Sequence, residues 1–376
     1  MKQIAFFRLS FLFLFLFLLS LQAKDKYRDN HSCQECHEKI YEEYQSSYHS
    51  HGYFNDTLHR KIADKVSLKK YDCATCHMPM ADNLKDIVTG KARPDKNNKT
   101  HTDAVSCYFC HTIAYVKKAH RFNINVKAKQ AANYKPSLYG RLENSDHNDK
   151  HSSVNNPIYA QKVCMGCHSH KLNENNVTIF HAMQEGQNSE NCIKCHMPEI
   201  EGGADKINKR ARIHHASHKF LGIHDTVFRK KGVDINVSAD GDSLHITMYN
   251  KMAHPLIIQS ARAKYLKIEI VREGKVIWKN YQTDPREDKQ GYFAASFTKD
   301  GKPIVIPYHS TAGKIHNLAA KENKILHYKT VQLKKEDTVT VSFYVQFAKT
   351  DCAKAVNLEG TDLMKPMLIK KVTLKL

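Results

Sequence analysis

The chain has 376 residues, 41% of them hydrophobic, and its 58 Lys and Arg against 38 Asp and Glu leave a formal net charge of +20. Such a surplus would by itself admit nucleic acid as a partner, a reading that the rest of the sequence argues against. Beyond the N-terminal segment no stretch is long and apolar enough to cross a bilayer, which excludes a polytopic membrane protein.

The N-terminus reads as an export signal. Lys2 and Arg8 supply positive charge, Phe11 to Leu19 is an apolar run, and Leu21-Gln22-Ala23 offers a cleavage site. We expect residues 1–23 to be removed and the mature protein to be periplasmic; a membrane association is expected only if this segment is retained.

Five copies of Cys-x-x-Cys-His follow, and they use ten of the eleven cysteines. They are Cys33–Cys36–His37, Cys73–Cys76–His77, Cys107–Cys110–His111, Cys164–Cys167–His168 and Cys192–Cys195–His196. Zinc sites draw four ligands from two such units, need no His directly after each, and cannot be made from an odd number of units. A disulfide framework would close strained small loops and would not select the His. The pattern is the attachment signature of c-type haem: two thiols add to the porphyrin vinyl groups and the following His becomes the proximal iron ligand. The expected cofactor is therefore heme c, five copies, covalent. Ten propionates would cancel about half of the positive surplus, so nucleic acid is not an expected partner. A lysine-rich face for an acidic redox protein and a merely solvated surface both fit what remains.

Along the chain, Ile40 to Ser47 and Ala160 to Cys167 read as helical, and Asp82 to Thr102 as loop. The haem-motif segment has few long apolar faces, so the porphyrins are expected to supply its core, with short helices and loops wrapped around them. Near residue 225 the composition changes. Val233, Ile235 and Val237 alternate with polar residues, turn at Ala239–Asp242, and alternate again through Leu244, Ile246 and Met248. Leu266 to Ile270 leads through Glu273-Gly274 into Val276 and Trp278, Val339 to Phe347 is the cleanest period-two run, and Val372, Leu374 and Leu376 close the chain. The expected fold class is α+β: a multihaem cytochrome c domain over 24–225, then an antiparallel β-sandwich of seven or eight strands over 226–376.

Nineteen of the twenty-four histidines precede residue 225, and fourteen of these are not in a motif. The economical reading is a second imidazole on each iron, which suits electron transfer and leaves no place for substrate. The candidate distal ligands are His49, His101, His120, His151, His181 and His218, with His51, His147, His214, His215 and His224 nearby. Methionine is the competing ligand: Met78 and Met197 directly follow a proximal His and cannot reach the opposite face, which leaves Met80, Met165 and Met183.

Several phrases resemble one family. Cys33-Gln-Glu-Cys36-His37 through Tyr44 to His49, Ala104-Val105-Ser106-Cys107, the two Cys-His-Met-Pro phrases at Cys76 and Cys195, and His215-Ala-Ser-His218-Lys-Phe220-Leu-Gly222 are similar to the multihaem cytochromes typified by the nitrifiers' tetrahaem cytochrome, which accepts electrons from hydroxylamine oxidoreductase. The resemblance spans about residues 30–225 and implies His49 and His218 as distal ligands. A Trp usual before the Ser-x-x-His element is Tyr44 here, and a Gly before Val105 is Ala104. The C-terminal part resembles β-domains appended to some bacterial multihaem cytochromes. In these, Asn250-x-x-x-His254-Pro255 and Arg262 have loose counterparts, which makes His254 a further ligand candidate.

Two functions follow. In the first, mostly bis-His haems form a relay between respiratory redox partners, which would be periplasmic or membrane quinol-linked cytochromes or reductases. In the second, one haem with an open distal face acts on nitrite, hydroxylamine, nitric oxide or sulfite, with Lys117, Lys118 and Arg121 drawing in the anion. Cys352 stands outside every motif and reads as a buried thiol.

Overall fold

The structure is a computed structural model and describes residues 27–130, 135–146, 148–182, 192–203, 210–257 and 259–376. The export signal expected at 1–23, His147 and Met183 lie outside the described residues. Among the described residues no helix is long and apolar enough to cross a membrane.

The chain is α+β. From Asn30 to Arg229 it runs through short helices, the longest being Thr57–Val66, and small two-stranded ribbons such as Ile113–Lys117 with Ile124–Lys127. Five of the helices are set by a local cap: Asp29, Asp56, Asn98, Ser106 and Asp225 accept backbone N–H bonds at helix starts. Its largest apolar cluster has seven buried residues around Tyr71, Met78 and Ile87. The segment expected as loop over Asp82 to Thr102 contains two helices, Leu84–Thr89 and Lys99–Thr102. Gly90, at φ 81°, ends the first in the left-handed conformation that Gly adopts without a Cβ penalty.

From Val233 the pattern changes to antiparallel strands. Ten of them form two sheets, against the seven or eight expected. One sheet orders Asn323–Lys329, Ser243–Asn250 and Val233–Asp240; the other is built on Tyr292–Lys299, Ala263–Arg272, Thr338–Gln346 and Met367–Lys375. Alternate residues of both sheets, among them Leu244, Ile246, Ile268, Val341 and Phe343, meet in one cluster of twenty buried side chains. Lys264 is buried inside this region, where its Nζ donates to Leu256 O at 2.6 Å.

The two regions pack directly. Asn173 donates through Nδ2 to Pro307 O and Ser310 O, each at 2.9 Å, and Leu58 and Ile62 pack on Ala348, Ala353 and Val356. The junction places His254, from the loop after Ser243–Asn250, against the fifth cysteine turn.

Candidate functional site: histidine pairs along the cysteine turns

In the first, second and fourth motifs the His N–H donates to the first Cys carbonyl at 3.0 Å. The third and fifth motifs are helical throughout, in Cys107–Thr112 and Cys192–His196. An i to i+4 turn presents the first thiol and the imidazole on one side, as a porphyrin attached through both requires. None of the eleven cysteines is in a disulfide, and Cys352 is buried in the helix Thr350–Ala355.

The turns cluster. The thiols of Cys33 and Cys107 are neighbours, as are those of Cys76 and Cys167 and those of Cys164 and Cys192. Cys110 lies within electrostatic reach of both Cys164 and Cys167. The fourth turn thus neighbours the second, third and fifth, and the first joins through the third.

An imidazole nitrogen binds a first-row metal at about 2 Å, and its ring centre lies roughly 1.1 Å further out, so two rings sharing one iron stand about 6.2 Å apart. Three pairs have this spacing. His37 and His151 are 6.2 Å apart, His111 and His218 6.3 Å, and His196 and His254 6.3 Å, with interplanar angles of 29°, 24° and 23°. His168 and His49 stand at 5.9 Å with their planes crossed at 70°. The donor set therefore fits haem, one motif His and one remote His at a time.

The ring orientations agree. His111 Nδ1 faces Tyr139 O at 2.7 Å, His218 Nδ1 faces Ala216 O at 2.9 Å, His254 Nδ1 faces Pro255 O at 2.9 Å, and His196 Nδ1 faces Leu221 O. A proton held on Nδ1 by a carbonyl leaves Nε2 with its lone pair for a metal. Burial, then neighbouring imidazoles, pushes His49 and His218 down to about 3 and lowers His77 and His168. A ligand imidazole must be neutral, so these environments keep it ready.

The second turn differs. His59 stacks face to face on His77 at 3.7 Å and 14°, too close for an atom between them, and Tyr71 Oη lies 3.3 Å from His59 Nδ1. Among the described residues no other ring stands at iron spacing from His77. The cation in reach of this turn is Lys171, whose charge is felt by Cys73, Cys76 and His77. Of the expected cations, Lys118 lines a cleft with Asn123 and His170.

Of the six distal candidates, His49, His151 and His218 face a motif His. His101 does not: Asp95 N–H donates to its Nδ1 at 2.9 Å and Asn83 Oδ1 lies 2.9 Å from its Nε2, so both ring nitrogens are engaged elsewhere. His120 is turned to Asn176 Oδ1 at 3.0 Å. His181 lies in the strand Thr178–His181, paired with His170–Leu172. His215 is held between Gly202 O and Glu43 Oε1. Two residues that the sequence reading passed over matter. Glu43 is buried and also accepts the His218 N–H at 2.8 Å, and Asn30 accepts the Cys107 N–H at 2.9 Å, fixing the third turn.

The family model for cytochrome c554 and c-prime matches residues 32–112, which hold the first three motifs. With the five cysteine turns, this match supports a multihaem c-type cytochrome with covalently held haem c. The fold of the chain is similar to the crystal structure of a penta-haem cytochrome c552 from Thermochromatium tepidum, at 20% identity and TM-score 0.75, covering 93% of this chain and 99% of that one. A superoxide reductase in the oxidised state aligns over 38% of this chain and 86% of its own at 12% identity, and its TM-score of 0.18 carries no argument. No curated protein sequence matches.

Proposed function

We propose that this protein is a periplasmic pentahaem electron carrier, exported through residues 1–23, with its haems in a domain over 24–225 and a β-sandwich domain over 226–376. One haem c would be held on each of the five cysteine turns, with His37, His77, His111, His168 and His196 as proximal ligands. The distal ligands would be His151, His218, His49 and His254 for the first, third, fourth and fifth. When bound, such haems take and release single electrons with little change at the iron. The chain's part is to hold the ligand rings, keep them neutral, and set the turns close together. The observation that carries this reading is the imidazole spacing of 6.2–6.3 Å at three motifs, with 5.9 Å at a fourth, between residues remote in sequence. Partners would be periplasmic or membrane quinol-linked cytochromes or reductases, met through a lysine-rich face.

The second turn supports a second reading. His77 has a stacked neighbour in place of a spaced one, and Lys171 supplies positive charge beside it. A haem there would have an open distal face able to take nitrite, hydroxylamine, nitric oxide or sulfite, and the protein would be an oxidoreductase. Paramagnetic resonance and magnetic circular dichroism of the holoprotein test both readings. The carrier reading expects four low-spin bis-His centres and no spectral or catalytic response to hydroxylamine, nitrite or sulfite. Turnover of any of these, with a matching change at one high-spin centre, would replace the carrier by the enzyme.

A further inference from the structure

Where the two regions meet, two arginines act on one histidine, His224, and neither is in an ion pair among the described residues. Arg229 ends the helix Thr226–Arg229, donates from Nε to Leu368 O at 2.9 Å, and has a buried Nη1 with no partner. Arg262 lies flat over the Phe347 ring at 4.8 Å, reaches His224 Nε2 at 3.4 Å through Nη2, and has a buried Nε with no partner. His224 feels both guanidinium charges and is itself sandwiched between Tyr48 at 3.6 Å and Phe347 at 4.2 Å. Asp56 acts on Arg262 through space without forming an ion pair with it. Burial pushes the Arg262 guanidinium down to about 10, as expected of a cation out of water and short of negative charge.

A buried donor left unpaired costs about 1–3 kcal/mol, more when charged. Two such donors at one junction call for an acceptor that is absent from the polypeptide. We propose that Arg229 and Arg262, with His224 as the closing wall, form an anion site for a carboxylate-like oxyanion at the interface of the two regions. One unpaired guanidinium N–H from each arginine matches an anion with two oxygens better than a single spherical ion. The pocket adjoins the fifth turn, since Phe228, beside Arg229, lies 5.2 Å from the His196 ring. One source is therefore a propionate of a haem held between His196 and His254, and this arm rests on the ligand pairing proposed above. The other source is a free small oxyanion.

The test uses the natively matured holoprotein and the variants Arg262→Gln, Arg262→Lys and Arg229→Gln. Haem content and spin state are measured first, so that loss of the fifth haem, which would refute the ligand pairing, is seen separately. With haem content intact, a propionate occupant predicts that Arg262→Gln shifts one propionate bending band in resonance Raman and lowers the midpoint potential of one haem. Arg262→Lys, which keeps the charge and loses the fork, should restore the potential but not the band. A free-anion occupant predicts unchanged bands, and a shift of the wild-type potential by added nitrite or acetate that Arg262→Gln abolishes. Variants identical to wild type in bands, potentials and anion response would overturn the site.

Discussion

In the region from Val233 to Lys375, twenty side chains are buried in one apolar cluster. In the longer stretch from Asn30 to Arg229 the largest cluster has seven, and what converges there is imidazole and thiol. The first region carries its own core, so its fold needs only the chain. The second gathers polar ligands around spaces that side chains do not fill, and such an arrangement is stable only with the group that fills them. Regular strands thus serve as scaffold, and an irregular segment positions chemistry.

The largest test breaks that contrast directly. Protein produced without haem attachment should lose the helical circular dichroism of the N-terminal region and keep the β signal and a cooperative melt from the strands. Retention of the helices would mean that the segment folds on its own apolar contacts. Next, His254→Ala should convert one haem per chain to high spin in paramagnetic resonance and leave the others low-spin. An unchanged spectrum would separate the two regions functionally. A smaller effect concerns pH. Burial, then Arg262, pushes Lys264 down to about 7. The unfolded chain therefore holds that proton more tightly, and stability should rise as pH climbs from about 7 towards the ordinary lysine range. The thermal midpoint of the strand region should gain several degrees over that window in wild type and be flat in Lys264→Met.

The smallest effects lie at Gly52 and Ala104. Ala104 sits at φ 55°, and a Cβ built on Gly52, at φ 49°, would stand 2.7 Å from the Ala104 Cβ. Gly52→Ala should cost about 2 kcal/mol, whereas Ala104→Gly should gain about 1 kcal/mol or less in denaturant melts. The Gly expected before Val105 from the resemblance is explained by this left-handed backbone.

What could be read from the residues alone divides along the same line. The five turns were legible because covalent attachment demands fixed spacing, and strands such as Thr338–Gln346 because alternation is local. The helix Leu84–Thr89 was missed although Gly90 marks its end, since its apolar face is only Leu84, Ile87 and Val88. Candidates such as His49 and His218 were legible, but which histidine faces which motif was not. His37 meets His151 and His196 meets His254 through folding at long range, and nothing in the neighbourhood of His101 announces that Asp95 and Asn83 occupy its nitrogens. His59 carried no signal beyond its position between two motifs. His254 did have one, in the Asn250 phrase whose side chain bonds His254 O at 3.0 Å.

The place of His254 bears on biogenesis. Under the export proposed above the chain is delivered from its N-terminus, so Cys192 and Cys195 would emerge before the sheet whose loop carries this histidine exists. Attachment at the last turn would then precede completion of its coordination, and the intermediate would be a half-assembled protein with one unsatisfied metal. Arrival of the sheet would both cap that centre and lock the junction, making the final folding step a checkpoint for maturation.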